Sequence, residues 1–477
     1  MCKECDIVSK VGCLVLDNAK NNDTCVQALA RSWGWGQEQV KQRRLRCFGH
    51  IINLVAQAFA LGEKQTDFEV ALKAEHQQLD QVGKQRLWQI CGPIGKLHYI
   101  VVYILRTPQR RSAFKAGDKD LEATEYILKR DNSTRWNSIY QMILRACELR
   151  TWVELYCFKH KRSSQEADGF LDEMLLSDDD WYVLTALKDA MKIFEDATKA
   201  LEGHATDGEF GSMGESIPVI EALQDSLISL QRQYPEPERF PTTTLTGVPL
   251  RDNAPIPGSN PATAFITNCT NNAFQKLAKY YSLTDASVWY TVGMVLNPSV
   301  KFKYLKHQWK NEPQWYENTR AAVRQLWQLQ YKPRHVPKSQ GKKRACPNRG
   351  QQSSKSVKRD NNLRDSSLYA WKNEADSDDD DVPRLDEYDQ YLQEEVIEFD
   401  DLKITESALE YWRTVEPRWP NLARMAFDAL SIPAMSSECE RCFSSSGNMI
   451  TDTRNKLNPE SVEACECQRH WFLHDLV

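Results

Sequence analysis

Two acidic residues near opposite ends of the chain could hold a divalent metal ion. Asp17 follows the short apolar run 11–16 and precedes Asn18, so it would stand at the end of a buried strand. Glu440 lies in a serine-rich stretch that reads as the start of a helix. Carboxylate oxygens on rigid elements suit Mg²⁺ or Mn²⁺ and leave coordination positions for phosphate. A metal pair held in this way could activate water, and then a 3′-hydroxyl.

Each of the two acids also has a purely structural interpretation. Asp followed by Asn after a strand is a common turn and a common helix N-cap. Ser437 and Glu440 are spaced as a capping box, in which the glutamate side chain accepts a hydrogen bond from the N-cap amide. The local patterns leave the structural and the metal-binding interpretations open.

A second group of residues could contact nucleic acid. Cys47 and His50 form a Cys-x-x-His motif at the start of a helix predicted over about 50–61, and helix N-termini favour phosphate. Arg135 and Trp136 place a cation beside a flat aromatic ring, which suits an unstacked base. The alternatives are a core or capping histidine and a core tryptophan. Cys-x-x-His is also half of a zinc site, but no histidine pair follows at finger spacing, so we do not expect zinc.

The elements that must position these residues are mainly helices. Short strands are predicted at 11–16 and 45–48, whereas helical periodicity dominates 87–230 and 262–331. A final helix is predicted from residue 460 to about 476, preceded by an Asn-Pro pair suited to the N-cap and first helical position.

Composition limits the classes of function. The 477 residues are 41% hydrophobic and 27% charged, enough for sizeable cores in two or three domains. The net charge of −5 provides no overall basic field, so any DNA contact must come from local patches. Scattered cysteines without a signal sequence or a long apolar run predict a reduced intracellular protein that does not enter membranes.

The C-terminal stretch carries the most specific pattern. Residues 432–444 read IPAMSSECERCFS and are followed by Gly447-Asn448 and by Arg-x-x-Leu-x-Pro over 454–459. This pattern resembles the C-terminal signature of the hAT-family transposases (hobo, Activator and Tam3), in the style of the fungal branch. The motifs at Asp17, Cys47–His50 and Arg135–Trp136 match further motifs of that family in the same order.

The resemblance implies an RNase H-like core with three catalytic acids. Asp17 would be the second acid and Glu440 the third, and the cofactor would be Mg²⁺ or Mn²⁺. The family's first acid lies on an upstream strand, which has no match in residues 1–16. We therefore expect an N-terminally truncated, catalytically defective relative. Its fold class would be mainly α with a partial α/β core, an incomplete RNase H-like fold split by a long all-α insertion.

The resemblance also implies DNA-contacting residues. His50, with Cys47, would lie beside the scissile phosphate, and Trp136, after Arg135, would stack on a flipped flanking base. Arg441, next to the third acid, is expected to join these contacts. The DNA partner would be transposon ends, and the compartment would be the nucleus.

The resemblance, together with the polar composition of the linker, divides the chain into four parts. A partial RNase H-like core at 1–60 precedes a helical insertion domain at 61–331, a disordered basic and acidic linker at 332–384, and a dimerisation region at 385–477 that completes the core. We expect self-association, to a homodimer or higher oligomer, through apolar faces of this last region that also pack within the chain. The residues expected at these faces are Leu409, Trp412, Leu422, Leu430, Phe443, Val462 and Phe472.

Two other functions stay open. The chain could be a fragment of an active cut-and-paste transposase whose N-terminal exon was omitted. It could instead be a co-opted nuclear protein-interaction module that uses the C-terminal region and the acidic linker. In-frame upstream sequence that encodes an aspartate on an apolar strand would favour the first of these.

Overall fold

The computed structural model is mainly helical, which confirms the expected fold class at that level. The predicted linker at 332–384 lies outside the described residues except at 332 and 333. Among the described helices, none has both the length and the apolar character that a bilayer crossing requires. The structure describes residues 8–75, 81–116, 127–131, 136–160, 171–202, 211–234, 261–333, 385–397, 404–450 and 457–473.

The chain forms two compact units. The first comprises residues 1–297 and 428–477, and the second comprises residues 298–427. The helices of the first unit are α1 (Lys20–Trp33), α2 (Gln37–Arg43), α3 (Phe48–Leu61), α4 (Gln65–Glu75), α5 (Gln81–Ile90), α6 (Gly92–Leu105), α7 (Pro108–Ala116), α8 (Trp136–Glu148), α9 (Arg150–Lys159), α10 (Asp178–Glu202), α11 (Ser216–Gln233), α12 (Pro261–Tyr281), α13 (Trp289–Val295), α19 (Ser437–Met449) and α20 (Pro459–Leu473). The second unit contains α14 (Lys301–Gln308), α15 (Pro313–Leu326), α16 (Glu387–Gln393), α17 (Ile404–Val415) and residues 420–427 of α18 (Pro420–Leu430).

Two short strands form the only sheet among the described residues. β1 (Leu14–Leu16) and β2 (Arg44–Arg46) pair in parallel, with Val15 opposite Leu45. The connection between them contains α1 and α2, because parallel neighbours require a crossover. β2 ends at Arg46, two residues before the end of the predicted strand 45–48, since α3 already begins at Phe48.

A small apolar core holds the crossover against the first strand. Val26 and Ala30 of α1 and Val40 of α2 are buried together. Leu14 and Leu16 of β1 pack against them. Because apolar burial contributes about 25 cal/mol per Å², this core helps to fix the strand and the residue that follows it.

α3 is the central helix of the first unit. It is apolar around most of its circumference, and Ile51, Val55 and Phe59 are fully buried. α8, α10 and α12 pack around it, as expected for a helix without a polar face. The first turn of α3 is therefore a rigid support next to the end of β2.

Lys301 and an aromatic cluster organise the second unit. The Lys301 ammonium donates hydrogen bonds to the backbone oxygens of Tyr391 and Glu394, each at 2.8 Å, and lies 4.3 Å from the centroid of the Tyr391 ring. The Tyr391 ring packs against Trp412 at 5.0 Å and Trp419 at 6.0 Å. Burial lowers the pKa of Lys301. These contacts join α14 to α16 and to the aromatic core.

Candidate functional site

The carboxyl ends of the two strands form a common edge. Since β1 and β2 are parallel, Asp17 and Cys47 each follow a strand at the same side of the sheet. The backbone N–H of Cys47 donates a hydrogen bond to the carbonyl of Leu16 at 2.8 Å. The structure therefore brings the Asp17 segment and the Cys-x-x-His segment together, and this edge is the candidate site.

Asp17 has a fixed conformation at this edge. Its Oδ1 accepts hydrogen bonds from the Ala19 N–H at 2.8 Å and from the Asn22 amide at 2.6 Å. Its backbone carbonyl accepts a bond from Arg44 Nη2 at 2.7 Å. Oδ1 therefore makes the hydrogen bonds expected of an aspartate in a turn. Oδ2 receives no hydrogen bond from the part of the chain that the structure describes, so the carboxylate could still contribute a metal ligand.

Two arginines of β2 were not singled out from the sequence. Arg44 donates to the carbonyl of Leu16 at 3.3 Å and forms an ion pair with Asp23 at 3.2 Å. Arg46 donates to the side-chain oxygen of Asn18, next to Asp17. Burial, and secondly the charge of Arg46, lowers the pKa of Arg44. The sequence signal that could have identified these arginines is the Arg-Leu-Arg alternation. Alternate strand residues face opposite sides, so both arginines lie opposite fully buried Leu45.

Cys47 attaches the C-terminal segment to the first turn of α3. Its buried sulfur accepts hydrogen bonds from both the N–H and the hydroxyl of Ser436, each at 3.3 Å. The N–H of Phe48 donates to the carbonyl of Ala434 at 3.0 Å. His50 lies partly buried in the same helical turn. Cys47 therefore has a positioning role, while His50 stands at a helix start.

A turn around residue 213 clamps the same C-terminal segment from another side. The Met213 N–H donates to the carbonyl of Ile432 at 2.8 Å, and the Ala434 N–H donates to the carbonyl of Gly211 at 2.8 Å. Between these bonds Ser212 and Pro433 form an antiparallel bridge. Residues 432–436 are consequently held on both sides before α19 begins.

This clamp directly precedes α19, the helix that carries Glu440. α19 begins at Ser437 with Ser436 as its N-cap, so Ser437 is not the N-cap that the capping-box interpretation needs. The hydroxyl of Ser436 instead contacts Cys47. Glu440 lies four residues beyond Ser436, which is about 6 Å along a helix axis. The side chains of Glu440 and Arg441 lie outside the described part of the structure.

Glu215, in the clamping turn, should make stability depend on pH. Its carboxylate accepts a hydrogen bond from the Ser212 N–H at 3.3 Å, and burial raises its pKa from 4.5 to about 7. Because the folded pKa lies above the unfolded one, the stabilisation is complete below about pH 4.5 and is lost as the pH rises to about 7. We expect the free energy of unfolding to fall by on the order of 2 kcal/mol across this range.

Urea unfolding at pH 5 and pH 8 checks this expectation. Glu215→Gln should remove most of that pH dependence, while Glu38→Gln, at an exposed position of α2, should retain it. An equal pH dependence in the wild type and Glu215→Gln would contradict the assignment.

Trp136 lies in the helical core rather than at the surface. Its ring is 5% exposed and packs against Phe194 and Tyr140, with centroids 6.0 Å and 5.9 Å away. Its backbone N–H donates to Asn53 Oδ1 at 3.0 Å. Asn53 lies one turn after His50 on α3, so the Trp136 backbone is anchored close to the first turn of that helix.

A buried His–Asp pair anchors the chain just before Trp136. His98 Nδ1 lies 2.5 Å from Asp131 Oδ1, and both side chains are fully buried. The imidazole stacks on Trp88 with ring centroids 3.8 Å apart. The segment from 132 to 135, which includes Arg135, lies outside the described residues, but both of its ends are fixed.

The apolar residues expected at the dimerisation faces divide into two groups. Trp412, Leu422 and Leu430 are buried, and Leu409 and Val462 are partly buried. Phe443 on α19 is 75% exposed and Phe472 on α20 is 70% exposed. α19 and α20 contact each other, so these two rings belong to one helical pair whose apolar side chains reach solvent.

The described residues contain no group of three or more histidine, cysteine, aspartate or glutamate side chains placed to hold a metal ion. Asp17 fits as one oxygen ligand, because its carboxylate is held in a fixed orientation with Oδ2 available. Glu440, whose side chain lies outside the described part of the structure, is the second acid that the sequence predicts for this site.

Two segments of the chain match known families. Residues 387–472 match the hAT family C-terminal dimerisation region. Residues 45–190 match the ZBED1 RNase-like helical domain. The second match begins within β2, and the first includes the segment that Cys47 and the turn at 213 clamp. The two matched segments therefore meet at the candidate site.

Several curated proteins are similar along most of the chain. It is 23% identical to the zinc finger BED domain-containing protein RICESLEEPER 2 of Oryza sativa subsp. japonica, over 90% of this chain and 50% of the relative. It is 21% identical to the putative transcriptional regulator tpeD of Talaromyces stipitatus, over 97% of this chain and 46% of the relative. It is 22% identical to the putative AC transposase of Zea mays, over 98% of this chain and 49% of the relative. The chain spans about half the length of these relatives. Together, the family matches and these similarities identify it as a hAT-family transposase-like protein that carries the family's C-terminal dimerisation region.

Proposed function

We propose that the chain is a nuclear, DNA-binding and self-associating relative of the hAT transposases. The attachment of the C-terminal region to the strand ends carries this proposal. Ser436 contacts Cys47, and Ala434 contacts Phe48, so the dimerisation region and the Asp17 edge are parts of one assembly. The names of the relatives, which include a putative transposase and a putative transcriptional regulator, support a nuclear location.

The proposed core is RNase H-like and is built from both ends of the sequence. β1, β2, α3 and α19 would belong to this core, and the helices between residues 61 and 331 would form the insertion. The parallel pairing of β1 with β2 and the clamp on residues 432–436 support this arrangement.

The strand-end edge would face the DNA backbone. Arg46 brings a guanidinium group to this edge, and α3 directs the positive end of its dipole there. His50, in the first turn of α3, would contact a phosphate. Mg²⁺ or Mn²⁺ held by Asp17 and Glu440 would supply the activation of water or of a 3′-hydroxyl.

We further propose that these 477 residues do not complete strand transfer by themselves. The family's mechanism needs three acids, and Asp17 and Glu440 match only two of them. An active transposase is the alternative, favoured by relatives about twice as long as this chain. A DNA nicking and hairpin assay separates the two proposals. Activity that appears only when in-frame upstream sequence is added would favour the alternative, and activity of the 477 residues alone would refute our proposal.

Self-association and DNA binding can be tested in one sedimentation experiment with labelled duplex DNA. We expect the wild type to sediment as a dimer or larger species that carries the duplex. Phe443→Asp combined with Phe472→Asp should give a monomer, because two exposed apolar side chains become charged. Duplex binding by this monomer should weaken at least about tenfold, since one subunit has fewer contacts than two.

Phe158→Asp is the matched control, because Phe158 is a similarly exposed phenylalanine on α9. This variant should sediment and bind as the wild type does. If the double variant stays dimeric, the self-association surface lies elsewhere. If the wild type does not bind duplex DNA, the DNA-binding proposal is refuted.

A further inference from the structure

One face of α14 is a stripe of basic side chains. These side chains are exposed and recur at spacings of three and four residues, so those within α14 lie on one side of the helix. They are Lys303, Lys306 and His307 of α14, and Lys310 in the turn that follows the helix. Phe302 and Leu305 of α14 are buried in the second unit. The stripe is therefore held on a packed helix rather than on a free segment.

Among the residues that the structure describes, no acidic side chain balances the charge of this stripe. Three other cations of the second unit are paired: Arg324 with Asp389 at 2.7 Å, Lys332 with Asp386 at 2.8 Å, and Arg418 with Glu394. Within the described residues, no salt bridge involves the three exposed lysines of α14 and its C-terminal end. No aspartate or glutamate occurs from residue 286 to residue 311, and Glu312 is the first acid that follows. In a chain of net charge −5, such a local basic patch favours the binding of a polyanion.

A tryptophan on the next helix adds an aromatic surface. Trp315 is 48% exposed, and its ring is held edge-on by Trp309 at a centroid distance of 6.1 Å and an angle of 84°. Trp309 lies three residues after Lys306, so the tryptophan pair flanks the basic stripe. A second ring pair, Phe302 with Tyr316 at 5.9 Å, also joins α14 to α15. The ring and the cations are thus fixed on one helical hairpin.

We propose that the α14–α15 hairpin binds single-stranded DNA. The lysines hold backbone phosphates, and Trp315 stacks on a base. Stacking needs an unpaired base whose face is accessible, which favours a single strand over a duplex. None of these residues belongs to the strand-end edge, so this proposal goes beyond the function proposed there and can fail independently of it.

The test is a fluorescence anisotropy titration of the full chain with a labelled oligothymidine of about 20 nucleotides. Replacing Lys303, Lys306 and Lys310 together by glutamine should weaken binding more than about tenfold. It should also reduce the slope of log K against log salt by about 2, since each phosphate contact on a single strand contributes about 0.7. Trp315→Ala should weaken binding about tenfold at an unchanged salt slope, and Trp315→Phe should restore most of it.

Matched controls carry the same changes at exposed positions of the first unit. Replacing Lys73, Lys115 and Lys279 together by glutamine removes the same charge, and Tyr182→Ala removes an equally exposed ring. Both controls should bind as the wild type does. Equal losses in the two lysine variants would overturn the proposed site. Equal competition by a duplex of the same length would overturn the assignment to single strands.

Discussion

Gly214→Ala is expected to destabilise the first unit by about 2–3 kcal/mol and to loosen the C-terminal segment. A Cβ at Gly214 would lie 2.6 Å from the carbonyl carbon of Gly293 and 2.7 Å from the nitrogen of Met294. These are backbone atoms, which cannot rotate away. The turn that must shift is the one whose Met213 N–H holds the carbonyl of Ile432. Urea unfolding measures the loss, and amide hydrogen exchange over 432–449 reports the release.

Gly12→Ala is the control for this substitution, because a Cβ at Gly12 would meet nothing within 4 Å. This variant should unfold within about 0.5 kcal/mol of the wild type. If Gly214→Ala unfolds like Gly12→Ala and amide exchange over 432–449 is unchanged, the clamp does not hold the C-terminal segment as described.

Asp131→Ala is expected to cost about 3–5 kcal/mol of stability. It removes the carboxylate partner of His98, and removing one member of a buried hydrogen-bonded pair leaves a desolvated polar group behind. The imidazole is also fixed against Trp88, so it cannot turn easily toward water. The loss should loosen the chain before Trp136, and faster amide exchange at Trp136 would show it.

Asp178→Ala is the matched control for the buried pair. Asp178 pairs with Arg150 at 2.7 Å, but its side chain is almost fully exposed. Surface pairs contribute about 0–1 kcal/mol, so urea unfolding of this variant should change by less than about 1 kcal/mol. Equal effects of the two substitutions would mean that the buried pair does not anchor this segment.

Local elements were predictable from sequence because their signals are local. The apolar periodicity predicted a helix over about 50–61, and α3 extends from Phe48 to Leu61. The Asn-Pro pair before the last helix also behaves as predicted, since α20 begins at Pro459 and Asn458 Oδ1 accepts from the Glu460 N–H at 3.2 Å. Spacing and capping chemistry were enough for these elements.

The contacts that assemble the site were not predictable in this way. Ser436 and Cys47 are 389 positions apart, and no periodicity relates them. The pairing of His98 with Asp131 depends on how α6 packs, and the role of Arg46 depends on the register of a three-residue strand. Trp136 was singled out because Arg135 precedes it and because the pair matches a family motif. The burial of the Trp136 ring follows instead from the packing of α8 against α10.

We propose that Asp17 and Glu440 hold one metal ion at the strand-end edge, and this is the central proposal about the chain. Calorimetric titration with Mn²⁺ tests it directly. We predict that the wild type binds Mn²⁺ and that Asp17→Asn and Glu440→Gln each weaken binding at least about tenfold. Glu463→Gln, at an exposed position of α20, should leave binding unchanged. Unaltered Mn²⁺ binding by a folded Glu440→Gln protein would contradict the claim, because the two acids would then not converge.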